Sequence, residues 1–210
     1  MAYLDTGAMY RAVTWAVLQS GVDPEDPQAV AELSRRVRVI SGTDPQGPTI
    51  HVAIDALDGS PGEPIDVAEP IRGDEVTSAV SAVSAVPSVR EQLVALQRAE
   101  ADAAVRHGQG IVVEGRDITT VVLPDADLKV FVTADPEVRA RRRALQDEQR
   151  GETNVDVAQT EAALRARDVK DSTRAASPFT QSDDAVVVDT THLALDEVID
   201  QVVSLVRSAN

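Results

Sequence analysis

The residues best equipped for chemistry in this chain are arginines and carboxylates, and three groups of them have informative spacing. Gly115-Arg116-Asp117 follows the apolar run that ends in Glu114. Glycine permits a sharp turn, so Arg116 and Asp117 project from the end of a strand. There Arg116 could grip a phosphate and Asp117 could accept from an exocyclic amino group. The same tripeptide could equally be a turn with a surface ion pair. Arg139, Arg142 and Arg143 fall at i, i+3 and i+4, with Arg150 seven residues beyond, so the four share one helix face while Arg141 does not. A cationic stripe repels itself unless it meets an anion. The competing reading is a solvated face neutralised by Glu137, Asp147 and Glu148. Arg167, Asp171 and Arg174 fall at i, i+4 and i+7. They suit a sugar phosphate, or else a helical ladder worth about 0.3–0.5 kcal/mol per pair.

Composition limits what these groups can serve. The 210 residues carry 35 acids and 20 bases, a formal charge of −15. Such a chain repels a polymeric phosphate backbone, and 2% aromatics leave little to stack on bases, so no nucleic-acid partner is expected. Lys129 and Lys170 are the only lysines, and the other 18 bases are arginines, whose planar forks suit phosphates. Cysteine is absent, which excludes disulfides, thiolate metal sites and cysteine nucleophiles. His51, His107 and His192 have no metal-ligand spacing, and Tyr3 and Trp15 read as packing residues. The start lacks a basic leader, and no apolar run reaches about 18 residues. The expectation is a cytoplasmic protein with no membrane partner.

These groups need elements to position them. Hydrophobic residues at 43% and charged residues at 26% indicate a globular chain with an aliphatic core. Helical periodicity covers Thr6–Gln19, Pro27–Arg36, Gly73–Val86 and Pro87 to about Arg106. The runs at 37–40 and 49–54, and the segment to Ile71, read as a small β insert. Strands follow at 110–115, 127–134 and 184–190. Two basic helices, opened by Asp135-Pro136 and by Thr160, precede an amphipathic closing helix at 193–206. Strands and helices alternate, and the strands lack clean polar alternation. Both point to a mostly parallel sheet covered by helices, with ligands beyond the carboxyl ends of the strands.

Taken together, LDTGAMYRA (4–12), IRGDEVTSAVSAVSAVPSVR (71–90), IVVEGRDITTVVLPDADLKVFVTA (111–134), RARRR (139–143), RARDVKDSTRAASP (165–178) and AVVVDTT (185–191) resemble the bacterial cytidylate kinases. The resemblance implies the α/β fold of P-loop nucleoside monophosphate kinases. It divides the chain into core (1–36), a monophosphate-binding β insert (37–71), core (72–138), a helical lid region (139–174) and core (175–210). It implies phosphoryl transfer from ATP, with Mg²⁺, to CMP or dCMP, by a monomer. By the same resemblance Thr6, Arg11 and Arg116 hold the CMP phosphate, while Tyr10, Arg167 and Asp171 hold the ribose. Ser81, Arg90, Asp117 and Arg174 read the cytosine. Arg139, Arg142, Arg143 and Arg150 belong to the lid and, with Arg116, act in catalysis. Glu114 stands where this class keeps an acid near Mg²⁺.

One departure matters. The family's Gly-x-x-x-x-Gly-Lys-Ser/Thr loop, which cradles the ATP phosphates, is not in the sequence: Leu128 precedes Lys129 and Val169 precedes Lys170. A strand, loop and helix of roughly two dozen residues would be missing, and the strand would be central in the sheet. The expectation is a gene start placed too far downstream, and a chain inactive as written. The alternative is a non-catalytic CMP-binding or interaction protein derived from the kinase.

Overall fold

The computed structural model describes residues 1–149, 156–173 and 180–209, and gives only the backbone of Arg167, Lys170 and Asp171. Arg150 and Arg174 lie outside the described residues. The chain forms two compact units, Met1–Ile118 and Thr119–Asn210.

In the first unit, strand β1 (Ala2–Asp5) runs directly into helix α1 (Thr6–Gln19). Asp5 makes that transition by capping: its carboxylate accepts from the Ala8 amide at 2.9 Å. Helix α2 (Pro27–Ser34) begins the same way, with Asp26 accepting from Gln28 and Ala29 and proline at its first position. Strands β2 (Val37–Ser41), β3 (Ile50–Ile54) and β4 (Ile65–Asp66) form an antiparallel sheet in the order β2-β3-β4. This is the β insert expected from the sequence. The stretch to Ile71 is less strand-like than expected: after β4 it closes in a single 3₁₀ turn, Pro70–Arg72. Helices α3 (Asp74–Ala85) and α4 (Pro87–Arg106) follow, parted at Val86, whose extended backbone suits a residue before proline. Strand β5 (Ile111–Glu114) completes the unit.

α1 lies at the centre of this unit. Met9, Val13, Ala16 and Val17 are fully buried, packed with Val52, Val83 and Leu93 among others in one aliphatic cluster. The Thr14 hydroxyl is buried too, and donates to the Tyr10 carbonyl at 2.9 Å. Trp15 packs against the cluster, as its type suggested.

β1 and β5 are parallel, with Tyr3 opposite Val112 and Asp5 opposite Glu114. The pleat sends Leu4 and Val113 into the core, and Tyr3, Asp5, Val112 and Glu114 to the other face, where Val112 and Glu114 are exposed. A strand at residues 2–5 was not legible in the sequence.

A one-turn π-helix, Ile118–Val122, passes from the first unit into the second. There β6 (Val130–Thr133) pairs in parallel with β7 (Val186–Asp189). Helix α5 (Pro136–Gln149) starts directly after Asp135, as the Asp-Pro pair foretold. Helix α6 spans Val157–Thr173, three residues earlier than the sequence suggested, and α7 spans Leu195–Ala209. The parallel pairing agrees with the sequence, but the two-sided cover does not. Val132, Val186 and Val187 are exposed in this unit, as Val112 is in the other. Apolar strand composition alone did not reveal which face packs.

Gly62 gives a test of the insert. A Cβ there would sit 2.2 Å from the Ile54 carbonyl oxygen, while the Gly62 amide donates to Asp55 at 3.0 Å. Gly62→Ala is expected to destabilise the fold by about 1–3 kcal/mol through overpacking against fixed backbone. Gly47→Ala, which meets nothing within 4 Å, serves as its control. Denaturant melts of the two variants measure the difference.

Candidate functional site

The parallel register brings the carboxyl ends of β1 and β5 level, so the start of α1 and the Gly115-Arg116-Asp117 turn become neighbours. The Thr6 hydroxyl donates to the Glu114 carbonyl at 2.7 Å, across 108 residues of sequence. Gly115 is what permits this approach. A Cβ on it would lie 2.2 Å from the Thr6 hydroxyl oxygen and 2.7 Å from the Ile118 side chain. Any other residue would push Thr6 off Glu114. Arg116 is half-buried.

Asp117 is not the surface carboxylate of a simple turn. It is 4% exposed and ion-paired with Arg90 of α4, which is also 4% exposed. A buried carboxylate needs such a partner, since leaving either charge alone costs about 3–5 kcal/mol. The Arg90 guanidinium also donates to the Ser84 carbonyl at 3.2 Å and lies over the Tyr10 ring, 5.3 Å from its centroid. Ser84 in turn donates to the Ser81 carbonyl, one turn earlier on α3. Four predicted residues, Tyr10, Ser81, Arg90 and Asp117, are thus gathered from α1, α3, α4 and the turn after β5.

Arg11 works one turn along α1 from Thr6. It donates to the Ile71 carbonyl at 2.8 Å and to the Thr77 hydroxyl at 3.0 Å, joining α1 to the 3₁₀ turn and to α3. Sequence reasoning overlooked the neighbourhood of Tyr3. It is far from a simple packing residue: its phenol is electrostatically coupled to the Glu114 carboxylate. Burial pushes its phenol well above the ordinary 10.0, and the Glu114 and Asp5 charges add to the shift while Arg72 opposes it. The available signal was the alternation of Tyr3 and Asp5 at a strand end. Without a visible strand at residues 2–5 it could not be used.

The second unit holds the remaining arginines. Arg139 donates to Asp168 of α6 at 2.6 Å. Arg142 donates to the Thr190 hydroxyl at 2.8 Å, the Thr190 carbonyl at 2.7 Å and the Leu193 carbonyl at 3.2 Å, bracing α5 to the loop after β7. Arg143 pairs with Asp147 at 2.9 Å along its own helix. The acid-paired reading of the stripe therefore holds for Arg143, whereas Glu137 pairs with Arg141. Arg167 and Asp171 occur on α6. Among the described residues no group of three His, Cys, Asp or Glu side chains could hold a metal, and no helix is long and apolar enough to cross a membrane.

Parallel strands under helices, with arginine and aspartate at the strand ends, are the layout of an α/β nucleotide kinase. The model of the cytidylate kinase family matches residues 1–208. A cytidylate kinase from Streptomyces avermitilis is 53% identical over 207 residues, covering 99% of this chain and 82% of that protein. One from Streptomyces griseus is 53% identical over 208 residues, with the same coverage. One from Rhodococcus opacus is 52% identical over 204 residues, covering 97% of this chain and 82% of that protein. The chain belongs to the cytidylate kinase family, a family of nucleoside monophosphate kinases with the P-loop kinase fold.

The Tyr3 phenol gives a direct readout of the strand-end geometry. Its raised pKa contributes stability that is complete below the ordinary value of 10.0 and is lost as the pH climbs above it towards the folded-state value. In a Tyr10→Phe background only Tyr3 titrates as a tyrosine. Glu114→Gln is expected to move that titration down towards the ordinary value, as followed by phenolate absorbance. An unmoved titration would show that the two side chains do not interact.

Proposed function

We propose that this chain carries the acceptor site for CMP and dCMP of an ATP-dependent kinase. The observation that carries the reading is the buried Arg90–Asp117 pair beside the Tyr10 ring. Cytosine offers an amino donor next to ring-nitrogen and carbonyl acceptors. A carboxylate beside a guanidinium is the matching set: Asp117 accepts from the amino group and Arg90 donates to the acceptors. Uracil puts a carbonyl oxygen where the amino group was, against the carboxylate, and a site built around such a hydrogen bond rejects it. Ser81 and Arg174 complete the base contacts. Thr6, Arg11 and Arg116 take the phosphate, and Tyr10, Arg167 and Asp171 the ribose. Residues 37–71 act as the monophosphate-binding insert and 139–174 as the lid region, within a core formed by 1–36, 72–138 and 175–210.

Phosphoryl transfer of this kind needs no covalent enzyme intermediate. The acceptor phosphate oxygen attacks the γ-phosphorus in line as its bond to the β–γ bridging oxygen breaks and ADP leaves, and arginine charges stabilise the spread negative charge. Arg116 and the lid arginines 139, 142, 143 and 150 supply that charge. Mg²⁺ would neutralise phosphate oxygens, and it keeps mostly phosphate and water ligands. A single exposed carboxylate, Glu114, fits an indirect role through water and not a protein cage. The protein works as a monomer in the cytoplasm, without nucleic-acid or membrane partners.

Calorimetry with CMP and UMP tests the reading. Asp117→Ala is expected to reduce CMP-over-UMP discrimination by about ten-fold or more, and Arg116→Ala to change it less. Equal discrimination before and after the Asp117 change would remove its assigned role. The 210 residues hold no Gly-x-x-x-x-Gly-Lys-Ser/Thr, so we further propose that they do not transfer phosphoryl groups on their own. Incubation with ATP, Mg²⁺ and CMP is expected to give no CDP, and CDP formation would refute this. Selective CMP binding without turnover is also the behaviour of the second reading, a non-catalytic binding protein derived from the kinase. That reading is favoured only by the absent motif.

A further inference from the structure

We propose that Arg72 is a further guanidinium on the 5′-phosphate of the bound nucleotide, acting beside Arg11 and Arg116. The inference rests on the acceptor-site reading above. Arg72 ends the 3₁₀ turn Pro70–Arg72, and its own amide donates to the Glu69 carbonyl at 3.0 Å. The preceding carbonyl, that of Ile71, accepts from the Arg11 guanidinium at 2.8 Å. Residue 72 therefore leaves the backbone one peptide from a group assigned to the phosphate. The second anchor of Arg11, the Thr77 hydroxyl, lies on the helix that begins two residues after Arg72. Position 72 is thus held firmly at this corner.

The side chain has the freedom that its backbone lacks. It is exposed, and among the described residues it makes no side-chain hydrogen bond or ion pair. Its charge acts on the Tyr3 phenol, on the outer face of the β1–β5 pair, against the charges of Glu114 and Asp5. That sets the guanidinium on the side of the pair that carries Asp5 and Glu114.

Charge balance explains why another cation is useful there. Asp5 and Glu114 both press on the Tyr3 phenol, so two carboxylates border the corner. Arg72 is the cation whose charge acts at the same phenol against those two. Its fork can engage a phosphate oxygen pair without giving up another partner.

Titration calorimetry of the 210-residue chain with CMP and with cytidine tests the assignment, because only CMP carries the phosphate. Arg72→Gln is expected to weaken CMP by about ten-fold or more and to leave cytidine unchanged. Arg72→Lys is expected to recover part of the loss. Arg35→Gln, which removes an equal charge from the end of α2, is expected to leave both affinities unchanged. A wild-type chain that binds CMP while Arg72→Gln binds it equally well overturns the role of Arg72 alone. Equal loss of CMP and cytidine overturns it too, since that marks a structural effect. A wild-type chain that binds neither ligand overturns the acceptor-site reading, and this inference with it.

Discussion

A carboxylate cannot remain buried without a counter-charge, and in the first unit that requirement organises the site. Asp117 is buried just past a strand, and Arg90 meets it from α4. Satisfying Asp117 leaves Arg90 with further donors, and these reach the end of α3 through the Ser84 carbonyl and α1 through the Tyr10 ring. Three helices and a strand end are thereby tied to one ion pair. Pairs of this kind give little net stability, because desolvation offsets the attraction. What this pair does is fix a donor and an acceptor side by side in a dry place.

The strand ends answer a different demand, close approach. Two parallel strands ending level must hand their chains to different elements without collision. Asp5 does this by capping α1, and Gly115 does it by having no side chain. The Thr6 hydroxyl then fits between them, onto the Glu114 carbonyl, and the Tyr3 phenol, two residues back along β1, feels the Glu114 charge.

Local signals in the sequence foretold the helices well. Asp-Pro and Asp-x-x capping residues, proline at helix starts and glycine after α1 mark boundaries that the structure keeps to within a few residues. What depended on distant pairing was not legible. β1 is four residues long, and it is a strand because Ile111–Glu114 lies beside it. The role of Tyr3 follows from that register and was invisible without it. Arg72 sits where the β insert meets α3, and nothing in its immediate sequence sets it apart. Asp117 illustrates the middle case. Its tripeptide suited a surface ion pair as well as a base contact, and only the resemblance of the whole chain to a family favoured the second. Its burial now excludes the surface reading.

The preference for arginine over lysine acquires a structural reason. Arg11 reaches a carbonyl and a hydroxyl on two elements, Arg142 reaches three acceptors in one loop, and Arg90 joins a carboxylate, a carbonyl and an aromatic face. Each task needs a flat fork with several fixed donors, whereas an ammonium is a single compact charge. In so acidic a chain several cations are drawn to nearby carboxylates, as Arg139, Arg141 and Arg143 are. An arginine can satisfy such an acid with one edge and keep the other for a ligand. Other arginines are anchored by neutral oxygens: Arg11 bonds the Ile71 carbonyl and the Thr77 hydroxyl, and Arg142 bonds the Thr190 and Leu193 carbonyls. A phosphate site can therefore exist in a protein of net charge −15: positive charge is concentrated at backbone-anchored guanidinium groups, and the excess of acid is spent elsewhere on caps and surface.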